Sequence, residues 1–167
     1  MNADELELSQ SLLLTLSDVI NTLRAIFEKH KNERIIVLGT MCVGKTTLLK
    51  YLPEAVDMDA LAFVDITEDE YRIINQSPWT EEIGDMVDYI VYRNIKVKPG
   101  QPVLGTVIVD CEVVVYLDIS KALLVEHCKK RGEDFSDALN TKSAIEKDLA
   151  THKEINEKVF YYVVMPE

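Results

Sequence analysis

One stretch constrains the fold more than any other. Gly39-Thr40-Met41-Cys42-Val43-Gly44-Lys45-Thr46 fits the spacing G-x-x-x-x-G-K-[ST] and lies between an apolar run and a helix-forming segment. Arg34 to Leu38 reads as a buried parallel strand, and Thr46 to Leu52, stopped by Pro53, reads as a helix. A strand that feeds a glycine loop and then a helix sets a helix N-terminus against an anion. Gly39 and Gly44 allow successive N–H groups to converge on phosphate oxygens, Lys45 can reach the β/γ bridge, and the Thr46 hydroxyl suits magnesium. Gly39, Thr40, Met41, Cys42, Val43, Gly44, Lys45, Thr46 and the following Thr47 are therefore the expected phosphate-binding residues.

The rest of the chain alternates helix and strand. Asp4 to Lys31 reads as an amphipathic helix, with Leu12, Leu13, Leu16, Val19, Ile20, Leu23 and Phe27 on one stripe and a basic end that suits the helix dipole. It either packs across the domain or serves as a dimerisation or partner helix, since so wide a leucine stripe is costly in water. After the first helix, Glu54 to Asp59 reads as a second strand on which Asp57 and Asp59 point the same way. The carboxyl end of a parallel strand is where an open α/β sheet puts its ligands. Thr67 to Asn75 and Thr80 to Ile95 read as helices separated by Ser77-Pro78.

Two apolar runs follow, Val103 to Val109 and Val113 to Ile119, with only Asp110, Cys111 and Glu112 between them. Parallel neighbours need a longer crossover, so three arrangements stay open. Val103 to Gly105 is the third strand with a cramped connection, or the pair is an antiparallel hairpin, or the third strand lies within Tyr89 to Val97. Ser120 caps a helix to Arg131, Gly132 to Asn140 reads as a polar loop, and Thr141 or Ser143 caps a last helix carrying Ile145, Leu149, His152, Ile155 and Val159. Phe160 to Met165 is the terminal strand. The expectation is a three-layer α/β domain over residues 32–167 with a mostly parallel five-stranded sheet, preceded by a helical addition over residues 1–31.

Composition narrows the partners. A formal net charge of -11 disfavours nucleic acid backbones, which want a basic face, but leaves a local anion site free to exist. No apolar run reaches bilayer length, and Asp4, Glu5 and Glu7 stand where a leader would carry basic residues. The three cysteines lack metal-ligand spacing and read as reduced thiols in a cytoplasmic protein. Cys42 is then either a reactive loop thiol or a small residue at a variable position.

The Gly39 to Thr46 loop, the Asp57-x-Asp59 strand end, and Val113 to Ser120 running on to Lys129-Lys130-Arg131-Gly132 together resemble the small P-loop kinases. The likeness is to the shikimate and gluconate kinase group and to the nucleoside and nucleotide monophosphate kinases, and it covers residues 34–167. That resemblance implies a P-loop NTPase domain that uses ATP and Mg2+ to phosphorylate a small hydroxylated or phosphorylated metabolite or a nucleotide. By the same resemblance, Lys45 and Arg131 would clamp phosphates, Asp57 or Asp59 would hold the acceptor hydroxyl or a magnesium-bound water, and Thr46, Asp59 and Asp110 would serve the metal. Tyr71, Arg72, Gln76, Trp79 and Arg93 would fall in the acceptor segment. The chain departs from the family in its lid, since Gly132 to Thr141 contains no arginine; Lys142 and Lys147 would have to substitute. The alternative is a catalytically reduced ATP-binding regulatory module. A guanine-specific switch would need Asn-Lys-x-Asp, and Asn140-Thr141-Lys142-Ser143 lacks the acidic residue.

Overall fold

The computed structural model describes residues 3–155 and 158–166, and side chains from Leu16 onward except that of Ile155. Strands β1 (Ile35–Leu38), β2 (Val56–Asp57), β3 (Val103–Gly105), β4 (Val113–Asp118) and β5 (Val159–Val164) form one sheet in the order β2-β3-β1-β4-β5. Every pairing is parallel, where a mostly parallel sheet was expected. The central strands β1 and β4 are apolar along their length because both of their faces are covered.

The period of two along these strands divides the core. Ile35, Val37, Val113, Val115 and Leu117 face one side. There they meet α1 (Ala3–Lys29), α2 (Lys45–Tyr51) and α6 (Lys121–Arg131) through Leu23, Leu48 and Leu124. Ile36, Leu38, Val114 and Tyr116 face the other side. There they meet α3 (Met58–Ala62), α5 (Glu81–Asn94) and the later part of α7 (Phe135–Ile155) through Met58, Ile90, Ile145 and Leu149. The remaining helix, α4 (Glu68–Ile74), packs on α5 and starts with a capping box between Thr67 and Glu70. The result is a three-layer α/β architecture.

In the described part of the N-terminal stripe, Val19, Ile20, Leu23, Ile26 and Phe27 are buried within the domain. Arg24 also donates to the Tyr51 carbonyl at 2.6 Å, and His30 bonds the Tyr161 hydroxyl at 2.7 Å, tying α1 to α2 and to β5. Leu12 and Leu13, like Ile155 on the last helix, lie outside the described side chains. No helix among the described residues is long and apolar enough to cross a membrane.

The structure corrects several sequence expectations. The third strand is Val103–Gly105, and it does not neighbour β4: β1 lies between them. The chain from Thr106 to Glu112 therefore crosses β1 as a bent, largely buried segment, with Val107, Ile108, Val109 and Cys111 packed on the face that holds Ile36 and Asp110 exposed. At about 3.3 Å per residue seven residues span at most roughly 23 Å, which leaves room for the bends while passing two strand spacings and returning to the start of β4. The second strand is shorter than Glu54 to Asp59, because the Asp57 carboxylate accepts from the Asp59 amide at 3.1 Å and starts α3 there. The last helix begins at Phe135, well before Thr141 and Ser143. Asp134 accepts from Ser136 N at 2.7 Å, while the Thr141 hydroxyl bonds back to the Asp137 carbonyl at 2.9 Å inside the helix. Val159 opens β5 and takes no part in that helix.

Candidate functional site

The strand order sets where a ligand can enter. From β1 the chain moves to one side of the sheet for β2 and β3 and to the other for β4 and β5, so a crevice opens beyond the carboxyl ends of β1 and β3. The Gly39 to Thr46 loop follows β1, Thr106 follows β3, and Asp57 and Asp59 follow β2. All three segments line one open cleft of about 170 Å³.

The loop conformation explains its glycines. Gly44 sits at φ 112° as the residue before α2, a region closed to most side chains. A Cβ at Gly39 would lie 2.6 Å from a Val43 methyl carbon, and Val43 is fully buried in the core. Cys42 is also left-handed, at φ 66°, the one non-glycine residue with positive φ among those described. Left-handed residues within a turn aim successive N–H groups at a common side and make an anion-binding concavity. Thr40 does not contribute its hydroxyl, which is buried and donates to the Ala138 carbonyl at 2.6 Å, tying the loop to the start of α7.

Lys45 curls back over this loop. Its ammonium donates to the Gly39 carbonyl and, at 3.2 Å, to that of Thr40. Burial lowers its pKa to about 8, against the attraction of Asp59 and Asp57. Asp59 is displaced the other way. Desolvation and then repulsion from Asp57 raise its pKa above the usual carboxylate value, only partly offset by Lys45. Neither side chain forms an ion pair among the described residues. The cleft thus keeps a cation and two carboxylates within electrostatic range of one another without letting them neutralise.

Met41, Cys42, Val43 and Thr46 complete the loop side of the cleft, and Arg131, exposed at the end of α6, closes it together with Glu133. A second hollow of about 340 Å³ shares Cys42, Thr46 and Arg131 with the first and adds Gly44, Thr47, His127 and Lys130. His127 was not singled out from the sequence, yet its Nδ1 donates to the Cys42 carbonyl at 2.8 Å and pins the loop to α6. Nothing in a helix-surface histidine signals that contact.

Other candidates are not brought to the cleft. Asp110 lies at the opposite end of the sheet, 2.8 Å from Arg34, so it is not placed to share a metal with Thr46 and Asp59. Arg93 is clamped to Glu70 at 2.7 Å, and exposed Arg72 pairs with Asp69 on its own helix. Tyr71, Gln76 and Trp79 are exposed away from the cleft lining. Lys142 is tied to Glu146 and, at 3.9 Å, to Asp118. No three His, Cys, Asp or Glu side chains among the described residues gather as a metal site on their own. No family model matches the chain, and no curated protein shows significant similarity to it.

Proposed function

We propose that this cleft binds ATP with magnesium and that the chain is a P-loop kinase passing the γ-phosphoryl group to the hydroxyl of a small molecule. The observation that carries this reading is Lys45. Its ammonium is held over the loop carbonyls at the switch point of a parallel sheet, and burial already pushes it toward neutrality, a cost that an incoming anion relieves. The loop suits phosphate: left-handed Cys42 and Gly44 curve it, and the space a Cβ at Gly39 would need is taken by Val43.

Phosphoryl transfer is mostly positioning and neutralisation of spread-out charge. The loop amides and Lys45 hold the phosphates, and the Arg131 guanidinium, which has no ion pair among the described residues, can grip two phosphate oxygens at the cleft mouth. Thr46 would hold magnesium, whose charge would offset that of the phosphates, and Asp59 would reach it through a bound water. Asp59 also orients the acceptor hydroxyl and accepts its proton, a role that a raised carboxylate pKa favours. Asp57 is engaged as the α3 cap and positions the Asp59 backbone.

The acceptor side carries Asp57 and Asp59, while Arg72 and Arg93 are engaged elsewhere. A neutral or cationic hydroxyl compound therefore fits better than a nucleoside monophosphate or a hydroxy acid. A second reading, an ATP-binding module with little or no turnover, is supported by the scarcity of guanidinium groups: among the described residues, Arg131 is the one arginine that lines the cleft.

The test is calorimetric ATP binding with magnesium, followed by acceptor-dependent ADP release across sugars, polyols, amino alcohols, nucleosides and hydroxy acids. Asp59→Asn is expected to lower transfer about 100-fold or more while ATP affinity stays within about threefold. Folded protein that binds no ATP would sink the proposal. Binding with no acceptor-dependent release from any class leaves the second reading standing.

A further inference from the structure

Two cysteines that the proposed chemistry does not use meet at the phosphate loop. Cys42 and Cys128 both belong to the apolar cluster beneath the loop, and the Cys42 side chain is among the groups that act on the Cys128 thiol. The backbone holds them there: Cys42 is fixed in a left-handed conformation, and His127, next to Cys128 on α6, donates to the Cys42 carbonyl at 2.8 Å. Cys42 lines both hollows of the cleft, whereas Cys128 is only 1% exposed. Cys111 lies in the separate cluster on the other face of the sheet.

We propose that Cys42 and Cys128 are a reversible dithiol–disulfide pair whose oxidation by a peroxide clamps the Gly39 to Thr46 loop to α6, and that a phosphate ligand in the cleft opposes it. The part played by the ligand rests on the ATP-binding reading; the bond itself does not. Cys42 is the thiol that an oxidant entering the cleft can reach. Its thiolate attacks one peroxide oxygen, the O–O bond breaks, and a sulfenic acid forms with release of water. Cys128 sulfur then attacks the Cys42 sulfur, the S–O bond breaks, the S–S bond forms, and a second water carries off the oxygen and the thiol proton. Two thiols are oxidised by two electrons and one peroxide is reduced to two waters.

The order of reaction follows from the surroundings. Burial pushes the Cys128 thiol up to about 11, which makes it a poor first nucleophile and leaves it to resolve the intermediate. The His127 bond to the Cys42 carbonyl sets the two cysteines on facing elements of one cluster, and any movement of Cys42 toward Cys128 shifts the amides on either side of it. Those amides belong to the concavity that would receive phosphate, so disulfide and bound phosphate compete for one loop geometry.

The experiment exposes the folded full chain to hydrogen peroxide with and without ATP and magnesium, then counts free thiols and maps linked peptides by mass spectrometry. Two of the three thiols should disappear, in a peptide joining residues 42 and 128 that dithiothreitol releases. ATP with magnesium should slow the loss about fivefold or more, and the oxidised protein should bind ATP about tenfold more weakly. Cys128→Ser and Cys128→Ala should both stop the linkage and leave ATP affinity of the reduced protein unchanged. Three remaining thiols, a linkage through Cys111, or a bond formed only between molecules overturns the proposal. Reduced protein that forms the 42–128 bond but never binds ATP defeats the functional reading alone. Protein that binds ATP but never forms the bond defeats this inference alone.

Discussion

The two ends of the parallel sheet carry similar residues arranged to opposite effect. At the amino end, Arg34 donates from Nε to Glu112 at 2.8 Å and from Nη1 to Asp110 at 2.8 Å, and its own amide donates to Glu112 at 3.0 Å. The Arg34 hydrogen bond holds the Glu112 carboxyl below its usual range, and Glu112 in turn raises the guanidinium. At the carboxyl end, Lys45 finds only backbone carbonyls, and Lys45 and Asp59 are both pushed toward their neutral forms. Charges that satisfy one another fasten the start of β1 to the start of β4. Charges that are kept close and unsatisfied lie at the end where we propose that an external counter-charge binds. That contrast, more than the presence of acidic and basic residues, separates structure from site in this chain.

The sharpest way to break the comparison is to remove the unsatisfied cation. Lys45→Ala should lower ATP affinity about 100-fold or more, measured by calorimetry, because each good charge-assisted phosphate contact contributes about 2–3 kcal/mol and the lysine also organises the loop. The same variant should melt no lower than the parent, since it deletes a group whose charged form the fold disfavours. Unchanged affinity would mean that the loop is not a phosphate cradle.

The pH dependence is the next largest effect. A Lys45 pKa of about 8 in the free protein means that anion binding must hold the proton there. Affinity should therefore be flat below pH 8 and fall by up to about tenfold per unit above it, a slope absent from Lys45→Met. Stability moves the other way. Between about pH 8 and the ordinary lysine pKa the unfolded chain binds more protons at this residue than the folded one, so the Lys45 penalty on the free protein fades as pH rises. The stability difference between parent and Lys45→Met should narrow across that window, as followed by urea unfolding. A parallel fall of affinity in both proteins would assign the pH effect elsewhere.

The loop and its flanks were legible in the sequence because their information is local: two glycines, a lysine and a threonine at fixed spacing after a short apolar run. The Asp57 and Asp59 pair was legible as a strand end, and both residues line the cleft, although a side-chain cap, not an extended strand, is what turns the chain there. The third strand was harder. Val103 to Val109 is apolar throughout whether it forms a strand or crosses the sheet buried, and only the partner order tells that β1 separates β3 from β4. The start of the last helix was hidden because Asp134 and Ser136 look like loop residues until one is seen accepting from the other. His127 against Cys42 and Glu70 against Arg93 are long-range contacts that no local pattern carries.

The paired end of the sheet gives a smaller effect of a different kind. Glu112→Gln keeps the shape but weakens the charge-assisted clamp on Arg34, both partners being partly solvated. The expected loss is about 1 kcal/mol of stability, read as a shift in the urea midpoint, with ATP affinity within about twofold of the parent. A loss of affinity matching that of Lys45→Ala would erase the distinction between the two ends.

The smallest effect tests the acceptor segment. Arg72 is exposed and pairs only with Asp69 one turn away on α4, so Arg72→Ala should change stability by no more than about 0.5 kcal/mol. Arg93→Met should cost more, since Arg93 holds the nearly buried Glu70 at 2.7 Å and reaches the Asp65 carbonyl at 3.3 Å, linking α5 to α4 and to the loop before it. If both arginines are structural, neither variant changes the acceptor KM by more than about twofold once an acceptor is in hand. A large KM effect confined to an anionic acceptor, with stability untouched, would return these residues to the binding site. It would also mean that the acceptor reaches beyond the cleft between Asp59 and the loop, to a surface where Arg72 now meets only its own helix.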